Sequence, residues 1–402
     1  MEGRVLVNPH SRSARPHWTW VVLGLGLVAW APGAQAQSSS SEAPTVQGVS
    51  SREAAQPGHQ AHQASVNTPD TAQAEPPDLG AVLPTSRIVW HGFGDVGWHR
   101  TGDPGRSNTF SLGQLNLYPT ATISDRLSVL AEIVLKGGTD NRIVVDLERV
   151  LLRYSFAESL ALSVGRYHTA IGYYNTTYHH SSWLQTTIER PLPFAFKGPL
   201  PIHDVGLSAR GSFTTPALRL EYSAEVGNGR SSLPDTGVQN IQDHNQGKAV
   251  NLALAVMPNA SANLRMGVSL YRDTHTPLDA PSRTESIVAG YVVYTNSAFE
   301  LLNEAIAMRL SGGQAASSTT SPAFYSQVSR GFGPWRPYAR VEYVEVPVGL
   351  TPGVPSGRRT LGLVGIRFDF SEMAALKLEY RRHESSLTGN GNGVAANASF
   401  AF

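Results

Sequence analysis

The chain of 402 residues contains no cysteine, which excludes disulfide staples, thiolate metal sites and a thiol nucleophile. It also has no long apolar run: the longest, Trp18 to Trp30, is 13 residues, whereas a membrane-spanning helix needs ~20. A helical membrane protein is excluded. Aromatic residues are missing from Gln37 until Trp90, so that stretch has little with which to build a core. Charge of one sign is lacking too, since 32 basic and 31 acidic residues leave a formal +1. Nothing in that balance points to nucleic acid or to an anion preference.

What is present organises the chain into three parts. Arg4, Arg12 and Arg15 precede the apolar run, and Ala34-Gln35-Ala36 offers a small-residue cleavage point, so residues 1–36 read as a secretory signal. Removing them takes away three basic residues and one acidic one, which leaves a charge of −1. Residues 37–86 are Ser, Ala, Gln, Pro and Gly with scattered charge, the composition of a disordered periplasmic tail. His59 and His62 lie there without a third ligand and read as part of a solvated linker.

Residues 87–402 alternate with a period of two, as in Leu218, Leu220, Tyr222, Ala224 and Val226 against Arg219, Glu221, Ser223 and Glu225. Sixteen candidate strands follow: 87–98, 107–122, 127–136, 142–156, 160–168, 204–213, 217–228, 248–257, 263–272, 285–295, 299–309, 322–331, 335–346, 358–370, 375–383 and 391–402. Tight turns at Ser124-Asp125-Arg126, Ala157-Glu158-Ser159, Thr214-Thr215-Pro216 and Ser371-Glu372-Met373 alternate with longer links. That rhythm and the even count predict an all-β fold, a transmembrane antiparallel β-barrel of about 16 strands. The parity of 299–309 and of 107–122 is ambiguous. The last strand carries Val394, Ala396, Ala398, Phe400 and Phe402 on one face, and the terminal Phe402 reads as an assembly signal for the barrel assembly machinery. A soluble sandwich would also alternate, but it needs no secretory signal joined to a terminal aromatic strand.

Charged side chains facing lipid near the midplane cost ~2–4 kcal/mol, so the charged faces must point inward. The expected pore wall is Arg166, Arg210, Arg219, Glu221, Arg265, Arg340, Glu342, Arg367, Lys377, Glu379 and Arg381, with Arg336 and Asp369 alongside. The lumen is expected to be polar and ionic. The longest link, Thr169 to His203, is expected to fold inward as a constriction presenting Tyr173, Tyr174, His179, His180, Glu189, Arg190 and Lys197. Glu189-Arg190 would put charge of both signs across the path, or pin the loop to the wall by a salt bridge.

Two chemical readings of this loop are weaker. His168, His179, His180 and His203 suggest a metal, yet adjacent histidines usually point apart while zinc needs three or four converging donors. Ser181 and Ser182 near histidines suggest a nucleophile, but no orienting group or oxyanion hole can be recognised by spacing.

The loop and its flanks carry a family resemblance. Val164-Gly165-Arg166-Tyr167-His168 with Ile171-Gly172, then Ile188-Glu189-Arg190-Pro191-Leu192-Pro193 with Ala195-Phe196, then Val205-Gly206-Leu207-Ser208-Ala209-Arg210-Gly211 resemble the phosphate-selective porin O/P family. Family members have Pro-Phe-Gly where Ala170-Ile171-Gly172 stands here, and an insertion from Tyr173 to Trp183 intervenes. The resemblance implies a barrel and a channel. It does not extend to phosphate selectivity, because Glu132, Glu148, Glu221, Glu342 and Glu379 interrupt the basic ladder such a member would show.

The expected function is a porin-type diffusion channel for small hydrophilic solutes or ions, including anions, in the outer membrane of a Gram-negative-type bacterium. It needs no cofactor, metal or turnover chemistry. Outer-membrane lipid surrounds it, nucleic acid is no partner, and the family resemblance implies a homotrimer. The alternative is a closed barrel with a structural or surface-binding role, its lumen plugged by the long loop.

Overall fold

The computed structural model describes residues 88–402, apart from 102–107, 139–140, 179–181, 197, 231–240, 243–244, 277–280, 314–317, 349 and 351–354. The expected signal and tail, and His179, His180, Ser181 and Lys197 of the loop, lie outside the described residues.

Among the described residues sixteen strands form: β1 (Ile88–Thr101), β2 (Thr109–Thr122), β3 (Leu127–Gly137), β4 (Ile143–Ala157), β5 (Leu160–His168), β6 (His203–Thr214), β7 (Leu218–Gly227), β8 (Ala249–Pro258), β9 (Leu264–His275), β10 (Arg283–Thr295), β11 (Phe299–Gly312), β12 (Thr319–Arg330), β13 (Trp335–Val346), β14 (Gly357–Ser371), β15 (Ala374–Ser385) and β16 (Gly389–Ala401). Each pairs antiparallel with its neighbours in sequence, and β1 pairs with β16 to close the barrel. The candidate strands are all found, with ends displaced by no more than a few residues. Closure removes the unpaired edges that an open sheet would expose to lipid.

The seam depends on the C-terminus. The Phe402 N–H and C=O both bond to Gly92, at 2.9 Å each. Its ring lies over that glycine, where a Cβ would stand 2.1 Å from the ring, and Phe400 covers Gly94 in the same way. An aromatic laid across a glycine of the adjoining strand pins register at a closing edge.

Facing follows the charge argument on the best strands. On β15, Leu376, Leu378 and Tyr380 are exposed outward, while Lys377 and Glu379 point inward and are buried. One part of the wall departs from expectation. Inward positions on β10, β11 and β13 include Ile287, Val293, Leu302, Ile306, Met308, Leu310, Val344 and Val346, all buried. That sector is apolar because the long loop packs on it, adding Ile171, Tyr173, Tyr174, Phe194, Leu200 and Ile202 to the same cluster. That sector of the wall is therefore largely apolar, with buried charges such as Glu285, Glu304, Arg340 and Glu342 set among the apolar side chains.

Candidate functional site

The link between β5 and β6 turns into the barrel and stays there. Its backbone forms little regular structure, so its N–H and C=O groups need partners once shielded from water. At the neck, Thr169 N–H bonds to Ile202 O at 3.0 Å, and Asn175 Nδ2 donates to the carbonyls of Thr169 and Ile202, each at 2.9 Å. The remaining partners are mostly wall charges.

On β11, the Glu304 carboxylate accepts from Tyr173 N–H at 2.7 Å, Tyr174 N–H at 2.8 Å and the Tyr325 hydroxyl at 2.6 Å. It thereby receives the first free amides of a four-residue helix, α1 (Tyr174–Thr177), where a negative charge is favourable. The approach needs Gly172, which has φ 71° and whose Cβ would meet a Glu304 oxygen at 2.3 Å. Further along, Glu342 accepts from Leu192 N–H and Glu379 accepts from Ile188 N–H at 2.6 Å. The wall cations take the carbonyls. Lys377 donates to Gln185 O at 2.7 Å, Thr187 O at 2.9 Å and Ser182 O. Arg367 donates to Trp183 O at 2.9 Å and Gln185 O at 3.0 Å, and Arg340 donates to Glu189 O at 3.0 Å. Thus acids hold the loop by its amides and bases hold it by its carbonyls.

This arrangement revises the expected wall. Arg340, Glu342, Lys377 and Glu379 do point inward, but each is at most 3% exposed beneath the loop. They anchor the loop instead of lining open water. Arg166 is likewise buried, its Nε donating to Glu148 O at 3.0 Å. Arg367, Arg381, Arg336 and Asp369 are half-buried, with Arg367 paired to Asp369 at 2.7 Å. By contrast Arg210, Arg219, Glu221 and Arg265 line a cavity of about 350 Å³ on the β6–β10 side.

The expected constriction set also divides. Tyr173 and Tyr174 are buried against the apolar wall. Arg190 is 8% exposed, donating to Phe194 O at 2.8 Å, Tyr178 O at 3.1 Å and Asn175 Oδ1 at 2.9 Å, and lying over the rings of Tyr174 and Phe196. It braces the loop internally and stays buried, although it borders the same cavity as Glu189. The Glu189 side chain is 67% exposed and is paired with Arg381 at 2.8 Å. The Arg381 guanidinium holds the Glu189 carboxyl below the usual carboxylate range. A second cavity of about 360 Å³ runs between this side of the loop and β16, β1, β2 and β3, lined among others by Asp95, His99, Gln114, Lys136, Glu189 and Asn397.

Of the residues weighed for other chemistry, the described ones are occupied structurally. Ser182 Oγ donates to Asn397 Oδ1 at 3.0 Å, and His203 Nε2 sits 2.8 Å from Glu148. The rings of His168 and His203 lie 4.8 Å apart, tilted. Residues not singled out from sequence include Glu304 and Arg230, which pairs with Glu285 at 2.6 Å and donates to Pro199 O. Glu225, on the charged face that alternation turns inward, accepts Ala170 N–H at 2.8 Å. Strand alternation would have placed Glu304 inward as well had the parity of β11 been clear.

A closed antiparallel barrel of sixteen strands with its longest loop folded into the lumen has the architecture of an outer-membrane porin. Solved structures agree at the level of fold. An anion-selective porin from Comamonas acidovorans is 11% identical, with 79% of this chain and 100% of that one covered at a TM-score of 0.57. OmpT of Vibrio cholerae lacking its loop L8, an outer-membrane protein, is 13% identical over 79% and 100% at 0.53. OmpF of Salmonella typhi, in complex with daunomycin, is 12% identical over 79% and 98% at 0.53. No family model matches the chain, and no curated protein does.

Proposed function

We propose that this chain is a passive diffusion channel of the outer membrane for small hydrophilic solutes and ions. The observation that carries the reading is the pair of lumen cavities, about 350 and 360 Å³, left open on either side of a loop bound to the wall. A barrel of this strand number leaves an aqueous interior, whereas one of about eight is filled by side chains. The loop narrows this barrel without filling it, which argues against a closed structural role. Glu189 with Arg381 on the loop side, and Asp95, His99 and Lys136 opposite, form the constriction in this reading. Arg210, Arg219, Glu221 and Arg265 line the second chamber.

The short-turn end faces the periplasm, with residues 1–36 removed as a signal and residues 37–86 on that side of the membrane. Assembly into a homotrimer is part of the proposal, and the porin likeness supports it. The likeness to the phosphate-selective porin O/P family rests on residues within 164–211 and extends to the inward loop; phosphate selectivity is not part of the proposal. The reading also makes the chain a channel without turnover chemistry. Liposomes containing the purified protein should swell in isotonic solutions of small sugars and amino acids, at rates that fall with solute size. Swelling no faster than that of protein-free liposomes for every solute would refute the proposal.

A further inference from the structure

We infer that the passage between the loop and β1–β3 prefers cations, with Asp95 on β1 and Glu189 on the loop setting the preference, so that ammonium-bearing solutes are the class it favours. This deepens the channel reading above and rests on it.

The two carboxylates line the same cavity. Asp95 has neutral partners: its Oδ1 accepts the Gln114 N–H at 3.3 Å and its Oδ2 accepts Asn397 Nδ2 at 3.0 Å. A carboxylate offers about four lone-pair positions, so two such bonds leave capacity for an ammonium donor. Glu189 is paired with Arg381, but the pair is lopsided: the carboxylate side chain is 67% exposed and the guanidinium side chain 16%. Arg381 is shared besides with Glu379 at 2.6 Å. A solute in the passage therefore meets the acid before the base.

The neighbouring bases do not reverse this balance. Lys136 is held by Asp146 at 3.1 Å and Glu148 at 3.4 Å. Lys377, the cation nearest in field to Asp95, lies under the loop with its protons directed to three loop carbonyls. Arg190 borders the cavity but is only 8% exposed, its guanidinium held by loop carbonyls and ring faces. On the other side of the loop, Arg210 is paired with Glu225 at 2.9 Å, Arg219 and Arg265 share Glu221 at 3.2 and 2.8 Å, and Glu158 lies 3.8 Å from Arg219. Fixed charge that is both accessible and unmatched sets ion preference in a water-filled pore. Among the described residues lining this passage, that charge is negative.

The test is the reversal potential of the reconstituted channel across a KCl gradient, with Asp95→Asn, Glu189→Gln and the double variant, and with 1,5-diaminopentane added as an organic dication. The wild type should favour K⁺ over Cl⁻ several-fold, each amide should lower the ratio, and the double variant should bring it near one. The diamine should reduce wild-type current at concentrations that leave the double variant conducting. Cl⁻ preference or no preference in the wild type would overturn the inference even if the variants failed to fold. Wild-type selectivity and diamine block retained in a conducting double variant would overturn it as well. Failure to conduct at all would refute the channel reading itself, so the two failures are distinguishable.

Discussion

Replacing Glu304 by alanine should free the tip of the inward loop while leaving the barrel closed. The deletion leaves two backbone amides, at Tyr173 and Tyr174, and the Tyr325 hydroxyl without their acceptor. A buried donor left unsatisfied costs about 1–3 kcal/mol, so three cost roughly 3–9 kcal/mol before relaxation. Removing the carboxylate also ends its own desolvation cost, itself several kcal/mol. A net ~4 kcal/mol is then reasonable, and at 1.4 kcal/mol per tenfold it shifts the docked–released equilibrium of residues 172–178 about a thousandfold. The neck at Thr169 and the anchors at Arg340 and Lys377 remain, so release is local. Chymotrypsin, which cuts at tyrosine, should cleave Glu304→Ala within 173–178 far faster than the wild type. Its single-channel current should become larger and noisier. Glu304→Gln, which keeps one carbonyl acceptor, should fall between. Equal protease resistance and current in all three proteins would refute the assignment of Glu304 as an anchor.

Other expectations are shorter. Arg340→Met leaves Glu342 buried without its cation, and breaking a buried pair from one side costs about 3–5 kcal/mol; the folded barrel should lose heat resistance on gels, and unchanged resistance would count against the pairing. Deleting Phe402, or substituting Gly92→Val beneath its ring, should lower the yield of folded outer-membrane protein while export across the inner membrane continues, as read by fractionation. Because the Glu189 carboxyl is held below its ordinary value, its pinning of the loop to Arg381 is fully present above the unfolded carboxylate range and is lost as pH falls through the lowered value. Current noise should accordingly rise only in that acidic window, and Glu189→Gln should show it at neutral pH. Limited trypsin treatment should remove the tail and leave a resistant fragment beginning near Arg87.

The barrel was legible because lipid enforces alternation: on β7, and on β15 as far as Arg381, the charged residues could sit on one face only, and the strand ends were found within a few residues. β11 was ambiguous for a physical reason. Its inward face carries Leu302, Ile306 and Met308, which serve a packed loop and not water, while Asn303 and Arg309 fall on the outer face. The same cause hid Glu304, which alternation alone would have assigned had parity been known. The length and composition of the link from Thr169 suggested an inward loop. Which groups would be exposed was not readable, since Arg190 and Glu189 are adjacent in sequence yet one is buried as a brace of the loop and the other is open. That division depends on backbone direction inside an irregular segment, which neither a period of two nor one of 3.6 reports. Asp95 escaped notice because it reaches the passage from the closing seam, far from the loop in sequence.

The central claim, that the lumen conducts past the anchored loop, is tested most directly by recording purified protein in a planar lipid bilayer. Discrete, reproducible current steps that scale with salt concentration are the predicted result. A quiet membrane, at high salt and with correctly folded barrel shown to be inserted, would contradict the account.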